Sequence, residues 1–353
     1  MSLRNLVVSE GILGLQTNAG HVGWSFGQPP RDASDEEMER CRVVLRFRID
    51  PLRNGFADMD DMECYHYWSA RPGEDDIYYQ RGLIGSAKLR LMVRGMLAER
   101  PEMVANRAFL RFIRFRFNNL HSPGYHLTDM ASALLLRAGL APLHCSAFSV
   151  GDATVAVIAP ANSGKTLTTM KAVLDKKAIF LSEDLAITDG EMLYACPWTS
   201  TFRYYDDFAM NWRTKFRMRL IKVFPPAELL PPPDKYRTID AYIPKEQIAA
   251  SGRITHVAFL ARRDGGVKIL SPTEANRLLF NLNRYEFMYM KNPMLVAFSY
   301  FNPELDLHDL VDRERAILSR MSEQATCMLV QSKDPTRFAD MIFDEIGRRP
   351  SAK

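Results

Sequence analysis

A continuous apolar run, ATVAVIAP at 153–160, leads directly into ANSGKT at 161–166 and then LTTMKAVLDKK at 167–177. The first piece reads as a buried strand and the last as a helix, since a short apolar run bounded by turn residues gives way to a mixed polar and apolar stretch. Between them Ala159, Pro160, Ala161, Asn162, Ser163, Gly164, Lys165 and Thr166 keep the spacing of a Walker A phosphate loop, G-x-x-x-x-G-K-[ST], with alanine in the first glycine place. The chemistry calls for these residue types. Backbone N–H groups line a turn around phosphates, Gly164 lets the backbone approach closely, Lys165 reaches the β- and γ-phosphates, and the Thr166 hydroxyl binds Mg²⁺. The competing reading is an ordinary helix start with an exposed Lys165.

The next apolar strand, AIFLS at 178–182, ends in Glu183 and Asp184, where a carboxylate can reach a metal beside Thr166. Two adjacent acids suit two roles, one holding Mg²⁺ and one accepting the proton of an attacking hydroxyl. The plain alternative is a solvated strand end. His144 opens the hairpin that feeds the loop, and is either an acid/base partner or a structural histidine. Hairpin signals recur around Gly151-Asp152, around Asp189-Gly190, and between HVAFLAR (256–262) and VKIL (267–270).

Elsewhere, CRVVLRFRID at 41–50 reads as a strand, before an acidic loop with Asp58, Asp60, Asp61 and Glu63. Residues 87–98 and 126–139 read as helices, the second capped by Thr128 and stopped by Gly139. Ser271, Pro272, Thr273 and Glu274 form a capping box that opens a helix to about Met290. Helices are expected near 304–322 and after Asp334-Pro335, with a short strand CMLVQS between them. Residues 211–242 carry Arg213, Lys215, Arg217, Arg219, Lys222 and a run of prolines, and read as an excursion from the sheet. Arg203 and this basic stretch are candidates for gripping phosphates, against a solvated helix face; Trp198, Trp212, Tyr204 and Tyr205 read as packing.

With 46 Lys+Arg against 42 Asp+Glu, the net charge of +4 is too thin for a chain that tracks nucleic acid. The five cysteines, Cys41, Cys64, Cys145, Cys196 and Cys327, form no CxxC pair, which argues against a disulfide framework or a zinc ribbon. No segment reaches the ~20 apolar residues that span a bilayer. The expectation is a cytoplasmic protein without nucleic-acid or membrane partners; monomer and homo-oligomer are both left open.

Residues 134–196 resemble the catalytic domain of the HPr kinase/phosphorylase family and its diverged relatives, which share a phosphate-loop core with phosphoenolpyruvate carboxykinases. The resemblance is carried by LLLRAGLAPLHCSAF (134–148), VAVIAPANSGKT (155–166) and FLSEDLAI (180–187), and more loosely by CPW (196–198) and residues 256–280. It implies an α/β fold with an α+β tendency: a P-loop kinase core of mixed sheet, β-hairpins and flanking helices at 126–353, behind a variable strand-rich region at 1–125 facing substrate or partner. It further implies an ATP- and Mg²⁺-dependent phosphotransferase acting on a hydroxyl of a peptide, protein or metabolite. Lys165 and Thr166 would hold phosphates and metal, Glu183 would be the base, Asp184 would lie near the metal, and His144 matches the family histidine. The loop departs from the family pattern at Ala159, Ala161 and Asn162. Asn162 tolerates a left-handed backbone, while Pro160 removes one N–H donor, so weaker nucleotide binding is expected. The alternative function is a nucleotide-binding regulatory or accessory protein that transfers no phosphate.

Overall fold

The computed structural model describes residues 2–52, 59–82, 88–113, 120–199 and 239–348. Among them two mixed sheets are built, of eight and nine strands, in a mixed α/β arrangement. The first contains β1 (Arg4–Ser9), β2 (Leu13–Thr17), β3 (Val43–Ile49), β4 (Glu63–Tyr65), β5 (Trp68–Ala70), β6 (Ile77–Gly82), β7 (Lys88–Arg94) and β8 (Glu102–Ala105), in the order β1-β2-β3-β8-β7-β6-β5-β4. Only the β2–β3 and β3–β8 pairings are parallel. The strand expected at 41–50 is β3.

The helix expected at 87–98 is instead β7. Leu89, Leu91 and Val93 are buried at every second position, and Gly95 at φ 57° ends the run. Met92 is buried on the opposite face, and with Lys88, Arg90 and Arg94 in the same run the period of two is hidden behind an apparent helical spacing.

Short helices α1 (Asp35–Glu39) and α2 (Arg107–Phe112) flank this sheet. The following helix, α3 (Pro123–Arg137), starts earlier than expected: Ser122 caps it, with Pro123 at its first position. Thr128 is not the cap but lies inside, its hydroxyl donating to the Gly124 carbonyl at 3.0 Å and accepting from the Ser25 N–H at 2.9 Å. Gly139 does end the helix region, at φ 77°. A Cβ on Gly124 would lie 2.2 Å from the Gly23 carbonyl oxygen, so this close approach of two backbones requires glycine.

The second sheet contains β9 (Ala141–Leu143), β10 (Ser146–Val150), β11 (Ala153–Ile158), β12 (Ile179–Ser182), β13 (Ala186–Thr188), β14 (Met192–Ala195), β15 (Ser251–Ala261), β16 (Gly266–Ile269) and β17 (Thr326–Gln331). The β10–β11 and β13–β14 hairpins are formed as expected. The third hairpin is not: β17 lies between β15 and β16, parallel to the first and antiparallel to the second. The eleven-residue β15 organises the sheet. Its start pairs with β14, its later part with β17, and its other edge runs parallel to β11.

Both faces of this sheet are covered, which is why 153–159 is apolar without alternation. Val155, Val157 and Ala159 pack on one side with Phe338 and Ile342; Ala156 and Ile158 pack on the other with Leu279, Leu318 and Met321. The first side is covered by α4 (Lys165–Met170), which runs on as a wider turn to Asp175, and by α8 (Phe338–Arg348). The second is covered by α5 (Pro272–Glu286), whose capping box is present, and α7 (Leu307–Gln324). One further helix, α6 (Pro293–Phe301), was not foreseen. A hydrophobic cluster from Leu6 to Ile317 joins the first sheet to α3, α6 and α7. Among the described residues no helix is long and apolar enough to cross a membrane. Residues 200–238, which hold Arg203, Tyr204, Tyr205, Trp212 and the whole basic stretch from Arg213 to Lys222, lie outside the described residues, as does Asp58.

Candidate functional site

Two short links bring the expected residues together. Ala147 of β10 pairs with Ser182 of β12, and Leu143 of β9 pairs with Ala186 of β13. Each chain therefore crosses between the same two parts of the sheet, one through His144 and Cys145, the other through Glu183 and Asp184. The links are tied to each other and to the sheet: the Ser146 hydroxyl donates to the Glu183 carbonyl, and the Cys196 N–H donates to the Ser182 hydroxyl at 3.0 Å.

The loop that leaves β11 arrives at the same end of the sheet. Ala159 is buried, Pro160, Ala161 and Asn162 are exposed, and Ser163 and Gly164 are half-buried. Ser163 N–H donates to the Pro160 carbonyl at 3.3 Å, and Asn162 takes the left-handed conformation at φ 61°. Gly164 stands at φ 111°, and a Cβ there would lie 3.1 Å from Pro335 Cβ and 3.4 Å from the Phe338 ring. Gly164→Ala therefore combines backbone strain with a tight contact against α8. It is expected to cost about 1–3 kcal/mol, read as a lower urea midpoint at unchanged slope.

Lys165 is buried, 7 % exposed, and its ammonium has no hydrogen-bond partner among the described residues. The alternative reading put an exposed lysine at an ordinary helix start; a helix does start at Lys165, but the side chain is buried. Burial pushes its pKa down, against the opposing pull of Asp184, Cys145, Glu286 and Glu183. The Thr166 hydroxyl donates a hydrogen bond to the Glu183 carboxylate, whose residue is 1 % exposed.

Asp184 faces the other way. Its Oδ1 is 3.9 Å from His144 Nδ1, and burial raises its carboxyl pKa while Lys165 opposes the rise. The Asp184 side chain is 47 % exposed, so solvent moderates that rise. His144 is pushed down to about 3, by burial first and the Lys165 charge second, so its ring is neutral at neutral pH. Its contacts with acids are thus not salt bridges.

Two participants were missed. Glu286, the last residue of α5, places Oε1 at 3.7 Å from His144 Nε2, and burial raises its pKa too, with Lys165 opposing. Asn283, one turn earlier, accepts the His144 backbone N–H at 3.1 Å. Both lie about 140 residues from their partner, and no local spacing could have signalled them.

The arrangement offers a buried cation for an anion, a hydroxyl and carboxylate in contact, and two partly exposed acids on either side of a neutral imidazole. A separate cavity of about 210 Å³ between β1 and β14 is lined by Glu10, Arg31, Glu37 and Trp198 among others, and by none of these groups. Among the described residues no cluster of three or more His, Cys, Asp or Glu could hold a metal ion. No family model and no curated protein matches the chain.

Proposed function

We propose that the chain is an ATP-dependent phosphotransferase with a phosphate loop at 159–166, transferring the γ-phosphoryl group to a hydroxyl of a peptide, protein or metabolite. The observation that carries this reading is the buried Lys165 ammonium behind an exposed turn, which acidic groups attract but none among the described residues hydrogen-bonds. A charge in such a place is costly unless an anion completes it. The turn in front supplies backbone N–H groups, though Pro160 supplies none.

Mg²⁺ fits the donor set, since the neighbouring oxygens of Thr166 and Glu183 would hold it and a hard cation needs few protein carboxylates when phosphates and water complete its shell. When bound, it would offset the charge on the phosphate oxygens. In this reading Glu183 stands on the metal side and Asp184 on the acceptor side, the reverse of what the family resemblance implies. Glu183 is enclosed with Thr166, whereas the exposed carboxylate of Asp184 is reachable by an incoming hydroxyl. Asp184 takes the hydroxyl proton, Lys165 holds phosphate oxygens, and the neutral His144 ring orients the acid.

The test is a melting curve with and without MgATP, followed by incubation with γ-labelled ATP and cell extract. Ligand at 100 times its Kd should add about 2.7 kcal/mol. Binding without any labelled acceptor would favour the regulatory alternative, and no stabilisation at all would remove both.

A further inference from the structure

His144 is held from behind. Its backbone N–H donates to Asn283 Oδ1 at 3.1 Å, while Asn283 Nδ2 donates to the Pro142 carbonyl at 3.0 Å and to Glu314 Oε1 at 2.6 Å. Asn283 and Glu314 are 2 % and 0 % exposed, so the amide and the carboxylate meet away from solvent. Glu314 is fixed in turn: its Oε2 accepts from the Tyr289 hydroxyl at 2.7 Å and from Arg284 at 3.3 Å.

This network decides which way the amide points. An asparagine side chain has a donor end and an acceptor end of nearly equal shape, and rotation by half a turn would present its NH₂ to the His144 N–H. A carboxylate only accepts, so Glu314 keeps the nitrogen on its own side and the oxygen toward His144. Asn283 and Glu286 are also three residues apart, on one face of α5. The same clamp thus sets the height of the His144 backbone and the distance from its ring to the Glu286 carboxylate.

We propose that Asn283, with its amide orientation locked by Glu314, is the positioning residue of this site, fixing where His144 stands between Asp184 and Glu286. The proposal rests on the phosphotransferase reading for its effect on turnover, but its structural half does not need that reading. A buried carboxylate costs much desolvation, and replacing such groups by apolar ones is often neutral for stability. Its use here is to allow one orientation of a neighbouring amide.

The experiment compares full-length wild type, Asn283→Ala and Glu314→Gln by three readouts: the carbon–proton NMR signals of the histidine rings, MgATP affinity, and ADP release at saturating ATP with labelled acceptor. Asn283→Ala should move the His144 ring signal while those of His21 and His66 stay in place. It should hold MgATP affinity within about twofold and lower turnover about tenfold or more, the effect of displacing a group near the chemistry. Glu314→Gln can present either its oxygen or its NH₂ to Asn283, so it should release the lock, moving the His144 signal and lowering turnover in the same direction as Asn283→Ala but by less. If Asn283→Ala does not fold, Asn283→Ser, which keeps a smaller acceptor, takes its place. An unmoved His144 signal overturns the proposal, as does a loss of affinity equal to the loss of turnover. A wild type that neither binds MgATP nor releases ADP ends the phosphotransferase reading, and the NMR comparison still decides the positioning.

Discussion

Lys165→Met should yield a protein that is more stable without nucleotide and nearly blind to MgATP. The wild-type ammonium is buried without a hydrogen bond among the described residues, and burial holds its pKa below the ordinary 10.5. Between that lowered value and 10.5 the unfolded chain holds a proton that the folded protein has lost, so this group makes stability rise with pH across the window. At neutral pH it is a burden, and an apolar side chain of similar length should recover about 1–3 kcal/mol. Phosphoryl transfer should fall about 10²–10³-fold, the usual loss when one preorganised charge is withdrawn from a transferring group. Thermal melts with and without MgATP, beside labelled-ATP assays, read both effects. Equal melting shifts by MgATP in wild type and variant would falsify the assignment of Lys165 as the phosphate ligand.

The second large effect is on the acid side of the stability curve. His144 ionises at about 3 in the folded protein against an ordinary 6.5. As pH falls below 6.5 the unfolded chain gains a proton that the folded one refuses, so stability is lost progressively between 6.5 and 3. The full shift corresponds to at most about 4–5 kcal/mol, and the part spent by pH 4.5 to at most about 2–3. Asp184 and Glu286 act in the opposite sense, because their pKa values are raised and the folded protein takes up their protons first as pH falls. The absolute acid limb therefore mixes both signs. The difference between wild type and His144→Gln isolates the histidine: urea midpoints should favour the variant more at pH 4.5 than at pH 7. A difference independent of pH would mean that the ring is already solvated.

What the sequence disclosed follows from the range of the interactions. The β10–β11 and β13–β14 connections are short hairpins, and Glu183 meets Thr166 only 17 residues away, so turn residues and apolar runs marked them. By contrast, on β7, an interior strand between β8 and β6, Arg90 separates two buried leucines while Lys88 and Arg94 flank the run, and the stem of such a residue suits a helix as well as a sheet. Thr128 has the chemistry of a cap but serves Ser25, a partner 103 residues distant. Glu286 and Asn283 lie on a helix whose start was legible from its capping box, yet their roles depend on a strand exit far earlier in the chain.

The passage of β17 between β15 and β16 has a consequence for synthesis. When residue 269 leaves the ribosome, β15 and β16 exist without the strand that will stand between them, and more than fifty residues must follow before Thr326–Gln331 can fill the gap. Until then one flank of β15 is an open edge, the state in which strands recruit the wrong neighbour. Pro335 and Phe338, which buttress Gly164, emerge later still. A nascent chain thus carries its Lys165 loop for some 170 residues before the wall behind it arrives, and a ribosome-stalled chain cut short of residue 326 should bind chaperones rather than nucleotide.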